Sequence, residues 1–248
     1  MKHPSPNEIF QLIDLTTLNA TDTLSDVKAL ADFAKAQSQR GFSVAALCVH
    51  SYFALSLAAE LENTSIRSAV VAGAFPHGQS PIDVKAMEVE RAAQDGIDEI
   101  DIVINRGLLL SNKIHLLEDE LKEMRAAASK TYLKTIIESG ELLTENLIRL
   151  ASKTALNCGA DFIKTSTGKS KIGATPEAVK IMCQEIRDFH EKTGEKRGIK
   201  VSGGVKTYDD ALLYYSVVRE TLGEAWLNKD LFRIGASSLA YELLKMEH

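Results

Sequence analysis

The feature that most limits the fold is a repeat of pattern rather than of letters. Eight short apolar runs are separated by longer stretches of helical periodicity. The runs are IDLTTL (13–18), VAALCVH (44–50), SAVVAGAF (68–75), EIDIVIN (99–105), LKTIIES (133–139), FIKTST (162–167), IKVSGG (199–204) and FRIGAS (232–237). Runs of this length, rich in Val and Ile and bounded by polar loops, read as strands. Their near-continuous apolar character suits parallel strands buried on both faces. Between them, Val27, Leu30, Ala31 and Ala34 share one helical face, as do Leu117, Leu121, Met124 and Ala128. Eight such units in 248 residues match an α/β fold of the (β/α)8 TIM barrel type, in both count and length. An extra helix near residues 6–12 would precede the first strand, and residues 1–248 read as one barrel domain. A doubly wound open sheet is the alternative. It ordinarily carries a glycine-rich turn after its first strand, and IDLTTLNATD has none.

Local signals agree with this division. Ser80-Pro81-Ile82-Asp83 predicts a helix with serine at the N-cap, proline at N1 and aspartate at N3. Thr175-Pro176-Glu177 repeats the logic, and Thr23 with Asp26 and Thr207 with Asp210 resemble capping boxes. Gly41, Gly96, Gly159 and Gly223 stand where helices should end.

Composition narrows the function. Net charge is −5 with acids and bases interspersed, so no basic surface for nucleic acid is expected. No apolar run reaches the ~18 residues of a membrane span, and the N-terminus lacks the apolar core of a signal peptide. Cys48, Cys158 and Cys183 are odd in number and far apart, which fits a reducing cytoplasm and no disulfide framework.

Charged residues inside the strand runs carry the functional signal: Asp14, Asp101, Lys134, Lys164 and Lys200. In a barrel they converge on one interior, and residues at the C-terminal strand ends form the active site. The bland alternative is a charge-balanced interior with no chemistry. A buried ammonium is costly unless paired or neutralised. Lys164 and Lys200 fall on adjacent strands, and a neighbouring ammonium together with desolvation favours the neutral amine. A fall of about 3 units from an ordinary pKa near 10.4 corresponds to roughly 4 kcal/mol. A neutral amine attacks carbonyls and forms a Schiff base, an electron sink for making or breaking C–C bonds.

The motifs LTTLN (15–19), FPHG (75–78), EIDIVIN (99–105), IIESGEL (136–142), GADFIKTSTG (159–168), GIKVSGGVKT (198–207) and FRIGASS (232–238) closely resemble those of the deoxyribose-phosphate aldolases, a class I aldolase family. They run in family order over nearly the whole chain. The resemblance implies a TIM barrel, with no metal or organic cofactor, that reversibly cleaves 2-deoxy-D-ribose 5-phosphate to D-glyceraldehyde 3-phosphate and acetaldehyde in deoxyribonucleotide catabolism. It implies that Lys164 is the Schiff-base lysine and Lys200 the cation that depresses its pKa. Asp101 would be a partner in proton transfer through an ordered water, Lys134 would orient this network, and Asp14 would be a further polar member. Glycine-rich turns after the last three strands would hold the substrate phosphate through backbone N–H groups and the start of the last helix. These are Gly168 and Lys169, then Gly203 and Gly204, then Gly235, Ser237 and Ser238, with Lys206 adding charge at the rim.

Two departures stand out. Lys206 occupies a position where many relatives have arginine, exchanging a planar fork for a point charge. The chain stops at His248, without the terminal tyrosine of a flexible tail credited in some relatives with proton transfer. Three rivals remain. His50 and His77 at strand ends could serve a metal-dependent aldolase. A non-catalytic sugar-phosphate barrel would have no use for both Lys164 and Lys200. Another class I aldolase could use the same imine. The sequence leaves the oligomeric state open, a homodimer included.

Overall fold

The computed structural model describes residues 3–246, so the C-terminal residue His248, and with it the expectation about the tail, lies outside the described residues. In chain order the first half contains α1 (Pro6–Phe10), β1 (Ile13–Thr16), α2 (Leu24–Gln39), β2 (Ala46–His50), α3 (Ala54–Leu61), β3 (Arg67–Ala72), α4 (Ile82–Gln94) and β4 (Glu99–Val103). The second half contains α5 (Arg106–Leu110), α6 (Ile114–Ala127), β5 (Tyr132–Ile136), α7 (Glu145–Asn157), β6 (Phe162–Lys164), α8 (Pro176–Thr193), β7 (Gly198–Ser202), α9 (Tyr208–Leu222), β8 (Phe232–Ala236) and α10 (Leu239–Met246). Every strand pairs in parallel with the next, and β8 closes on β1 to complete an eight-stranded barrel. This is the expected (β/α)8 barrel, and α1 is the expected extra helix, five residues long.

The strands are buried on both sides, yet a period of two runs through them. In β4, Ile100 and Ile102 face out into the main apolar core, while Glu99 and Asp101 face the axis. In β7, Ile199 and Val201 pack outward and Lys200 points in; in β8, Phe232 and Ile234 pack outward and Arg233 points in. Branched apolar residues therefore build the layer between barrel and helices, where area removed from water stabilises the fold. The charged and aromatic side chains fall on the axis, with small and a few branched apolar ones beside them. A separate small apolar cluster of Leu18, Ala46, Cys48, Ala69 and Val71, with Phe75 against it, fills the upper interior on the β2–β3 side.

Helix starts largely follow the sequence signals. Thr23 with Asp26 and Thr207 with Asp210 form complete capping boxes, and Thr175 caps α8 with Pro176 in its first turn. One expectation is corrected. Pro81, not Ser80, occupies the N-cap of α4, with extended backbone and no side-chain cap bond. Proline presets its own φ without obliging the helix to begin there. The sixth strand is also shorter than the run FIKTST implied. It ends at Lys164, which therefore stands at a C-terminal strand end rather than mid-strand. Thr165, just past the strand end, still donates its backbone N–H to the Lys200 carbonyl at 3.0 Å and adds two hydroxyl bonds, donating to the Ser202 carbonyl at 3.0 Å and accepting from the Ser202 amide at 2.9 Å.

One glycine shows how tightly the axis is filled. A Cβ on Gly198 would lie 2.2 Å from Cε1 of Phe162, its register partner on β6. The bare backbone of β7 lets the Phe162 ring cross the barrel floor beneath Lys164. Gly198→Ala should therefore lower the unfolding free energy by about 1–3 kcal/mol through overpacking, measured by urea denaturation. A loss below about 0.5 kcal/mol, typical of unstrained surface sites, would show that the ring has free space.

Candidate active site

Parallel register brings the inward charges together. Lys164 on β6 pairs in register with Lys200 on β7, and Lys200 with Arg233 on β8. Asp101 on β4 pairs with Lys134 on β5. All five charged residues expected from the strand runs, Asp14, Asp101, Lys134, Lys164 and Lys200, meet on the axis and are almost entirely buried.

Their contacts differ in a way that decides their chemistry. Asp101 Oδ2 accepts from Lys164 Nζ and from Lys200 Nζ, both at 2.7 Å, while Oδ1 accepts from Lys134 Nζ at 2.9 Å. Lys200 has a second carboxylate, Asp14 Oδ2, at 2.6 Å. Lys134 has three, with Glu99 at 2.6 Å and Asp14 at 3.5 Å besides Asp101. Among the described residues Lys164 has only Asp101. Lys164 and Lys200 do not simply repel each other across a gap; one carboxylate oxygen bridges them.

The protonation pattern follows from that count. Desolvation disfavours the charged form of every buried lysine. For Lys164 it outweighs the pull of Asp101 and, with the Lys200 ammonium adding to it, lowers the pKa from its ordinary value. For Lys200 and Lys134 the added carboxylates win, and both are raised above the ordinary lysine range. The same cations hold Asp14, Glu99 and Asp101 below the usual carboxylate values, against the opposing effect of burial. Formal charge agrees. Three buried carboxylates (Asp14, Glu99, Asp101) face four buried cations (Lys134, Lys164, Lys200, Arg233), so the set balances when Lys164 is neutral.

Glu99 and Arg233 were missed in the sequence. Both lie in quoted runs, EIDIVIN and FRIGAS, and both share inward phase with an expected residue: Glu99 two positions before Asp101, Arg233 in register with Lys200.

Above Lys164 a cavity of about 320 Å³ opens at the C-terminal mouth. All eight residues expected at the phosphate end line it with Lys164: Gly168, Lys169, Gly203, Gly204, Lys206, Gly235, Ser237 and Ser238. They come from the loops after β6 and β7, the end of β8 and the turn that leads into α10. Lys206 sits exposed at the edge. Lys169 reaches across the mouth and donates to the Leu18 carbonyl at 2.5 Å, tying the loop after β6 to the loop after β1. Gly235 has a further role, since a Cβ there would meet Ser202 Cβ at 2.9 Å and Lys200 Cε at 3.1 Å. Its missing side chain is the room that Lys200 occupies.

Other lining residues were not anticipated. Thr16, Thr17, Leu18 and Asn19 form one wall, and Thr167 and Ser202 contribute hydroxyls. The first four belong to the strand-end motif LTTLN, so their place at a C-terminal strand end was the available signal. Glu138 was missed as well. Buried and in a left-handed backbone conformation (φ 53°), it accepts from the Thr167 hydroxyl at 2.5 Å, the Thr167 amide at 3.2 Å and the Ser170 hydroxyl at 2.9 Å. It thereby shapes the loop that carries Gly168 and Lys169. His50 ends β2 with its ring edge-on to Phe75, and His77 lies in the loop after β3.

A parallel barrel with a desolvated amine at its mouth, held beside a carboxylate and under a cavity with glycine-rich walls, has the make-up of a carbonyl-addition enzyme. The chain belongs to the DeoC/LacD family of aldolases, whose model matches residues 9–238. It is 42% identical over 244 residues to the deoxyribose-phosphate aldolase of Mus musculus and 40% over 244 to that of Homo sapiens; each alignment covers 93% of this chain and 77% of the relative. Among solved structures, an aldolase described as QR15 superposes with a TM-score of 0.79 at 28% identity, over 96% of this chain and 97% of its own. A deoxyribose phosphate aldolase from Aeropyrum pernix, described as a tetramer, superposes with a TM-score of 0.76 at 26% identity, over 98% and 92%.

The depressed carboxylates set an acid limit on stability. A carboxyl whose folded pKa lies below its unfolded value adds stability above the unfolded value and loses it as pH falls toward the folded one. The ordinary values are 3.8 for Asp14 and Asp101 and 4.5 for Glu99. Unfolding free energy should therefore drop steeply as pH falls below about 4. Asp101→Asn should begin about 3–5 kcal/mol lower at neutral pH, as expected when one partner leaves a buried ion cluster, and its acid decline should be shallower. Parallel acid declines in urea titrations of the two proteins would contradict this.

Proposed function

We propose that this protein reversibly cleaves 2-deoxy-D-ribose 5-phosphate to D-glyceraldehyde 3-phosphate and acetaldehyde through a Schiff base on Lys164. The observation that carries the reading is that, among the described residues, a single carboxylate lies beside Lys164, against two beside Lys200 and three beside Lys134. It supports one reactive amine among lysines that stay charged. The names of the mouse and human relatives support the substrate.

The neutral Lys164 amine adds to the aldehyde carbon of the open-chain sugar. Loss of water from the carbinolamine leaves an iminium. A base takes the proton of the C3 hydroxyl, the C2–C3 bond breaks, and its electron pair passes into the iminium to give an enamine and the phosphorylated aldehyde. Protonation of the enamine carbon, then hydrolysis, releases acetaldehyde and restores the amine. Asp101, within reach of Lys164, is suited to exchange protons in these steps through a water, with Lys200 as the protonated neighbour that keeps electron demand on the imine. Lys134 and Asp14 hold Asp101 and Lys200 in place.

At the other end of the cavity, Gly203, Gly204, Gly235, Ser237 and Ser238, with the start of α10, suit a phosphate dianion through backbone N–H groups and hydroxyls. Gly168 and Lys169, on the loop after β6, would complete this phosphate end, and Lys206 would add a screened charge at the rim. We further assign the whole span to one catalytic domain, and the reaction to deoxyribonucleotide catabolism in the cytoplasm, where three free cysteines are at home. The Aeropyrum pernix tetramer supports self-association, and a homodimer is the assembly we favour.

Incubation with acetaldehyde and borohydride should attach the donor to Lys164 irreversibly, with the same yield in chelator. Lys164→Ala should lose the adduct and at least ~10³ in kcat. A reducible adduct on another lysine with near-normal turnover would overturn the assignment. Unphosphorylated 2-deoxyribose should be cleaved with kcat/KM lower by ~10² or more, because remote binding energy positions the reacting carbon. Equal rates on the two sugars would remove the phosphate site and leave the imine standing.

A further inference from the structure

Beneath the reacting lysine lies a second layer of charge that the chemistry above does not use. Arg233 and Glu99 are fully buried on the barrel axis. The Arg233 fork donates to Glu99 at 2.7 and 3.1 Å and to Asp14 at 2.5 Å, and its Nε donates to the Lys229 carbonyl. Glu99 also accepts from Arg67 at 2.9 Å and forms an ion pair with Lys134 at 2.6 Å. Arg67 lies half-buried at the N-terminal rim and gives its other nitrogen to exposed Asp230 at 2.7 Å. Ion pairs thus connect the opposite rim to the site without a break: Asp230, Arg67, Glu99, Arg233, Asp14, Lys200, Asp101, Lys164.

We propose that Arg233 and Glu99 form a counter-charge layer that sets which barrel lysine goes without a proton, and so act as positioning residues for Lys164 through Asp14 and Lys134. The proposal rests on the Schiff-base reading above. The layer touches no lining residue of the cavity by any polar contact just described, and works through charge alone. Asp14 needs its cations to remain an anion, and as an anion it holds the proton on Lys200. Lys200 in turn disfavours a second ammonium at Lys164. Every strand turns an ionisable group toward this cluster: Asp14, Cys48, Arg67, Glu99 with Asp101, Lys134, Lys164, Lys200 and Arg233, from β1 to β8 in order; burial pushes the Cys48 thiol up, so it stays neutral and adds no charge.

The two residues carry opposite signs, which separates an electrostatic role from a packing role. Neutralising Arg233 removes positive charge from the cluster and favours a proton on Lys164. Neutralising Glu99 does the reverse. Loss of packing would reduce stability and yield in both variants without opposed shifts.

The test is the pH dependence of imine formation with acetaldehyde, trapped by cyanoborohydride and mapped by mass spectrometry. It compares wild type with Arg233→Met, Glu99→Gln, the double variant and Arg67→Met. The midpoint should move alkaline by on the order of one pH unit in Arg233→Met and acid by a similar amount in Glu99→Gln, the scale of one unit charge nearby in a protein interior. The double variant should return toward wild type. Arg67→Met, at the half-exposed rim, should give a smaller alkaline shift that shrinks in high salt. Unmoved midpoints, or shifts of one sign in both interior variants, with the adduct still on Lys164, would overturn the proposal and leave the Schiff-base reading intact. An adduct on another lysine would overturn that reading itself. If the interior variants do not fold, an unmoved midpoint in Arg67→Met decides against the proposal.

Discussion

The Asp101 carboxylate stands among three lysines on the barrel axis, and the character of each lysine depends on what else reaches it. Lys134 shares Asp101 with contacts to Glu99 and Asp14, and Lys200 shares it with Asp14. Among the described residues Lys164 has Asp101 alone. Burial penalises all three ammonium groups, so the one with the fewest counter-charges gives up its proton first. On the proposed reading, reactivity comes from an unequal division of carboxylates rather than from any property of Lys164 by itself.

The architecture makes that division possible. Parallel register sets Lys164, Lys200 and Arg233 side by side on three consecutive strands, and closure of the barrel brings β1 and β4 across to supply Asp14 and Asp101. Space is made for long cationic stems where a neighbouring strand carries glycine, as Gly235 does beside Lys200. A buried ion cluster of this size is not a source of stability, since apolar residues of equal volume often do as well or better. The apolar layer outside the barrel, from Ile13 and Leu15 to Phe232 and Ile234, is what carries an interior devoted to charge.

Much of this was legible in the sequence because it is periodic. Eight runs with helical stretches between them point to the barrel, and five charges in those runs point to its axis. The misses have physical causes. Treating each strand as evenly apolar concealed the alternation of EIDIV and FRIGA, and so concealed Glu99 and Arg233. A strand buried on both sides still presents two different surfaces, one to the helices and one to the axis. Glu138 stayed hidden because its role lies in a left-handed backbone turn and in bonds to Thr167 and Ser170, a loop away in sequence. That Asp101 bridges Lys164 and Lys200, rather than leaving them in direct opposition, required side-chain positions. Pro81 at the N-cap of α4 shows how two plausible start signals can compete over one residue.

The most direct test of the account is a titration of the lysine side chains themselves. In protein labelled with ¹³C at lysine Cε, the Lys164 resonance, assigned by its loss in Lys164→Ala, should titrate below those of surface lysines. The Lys134 and Lys200 resonances should stay in the protonated position to the alkaline limit of folding. If Lys164 instead titrates together with Lys200 or above it, the unequal division of carboxylates does not select the reactive amine.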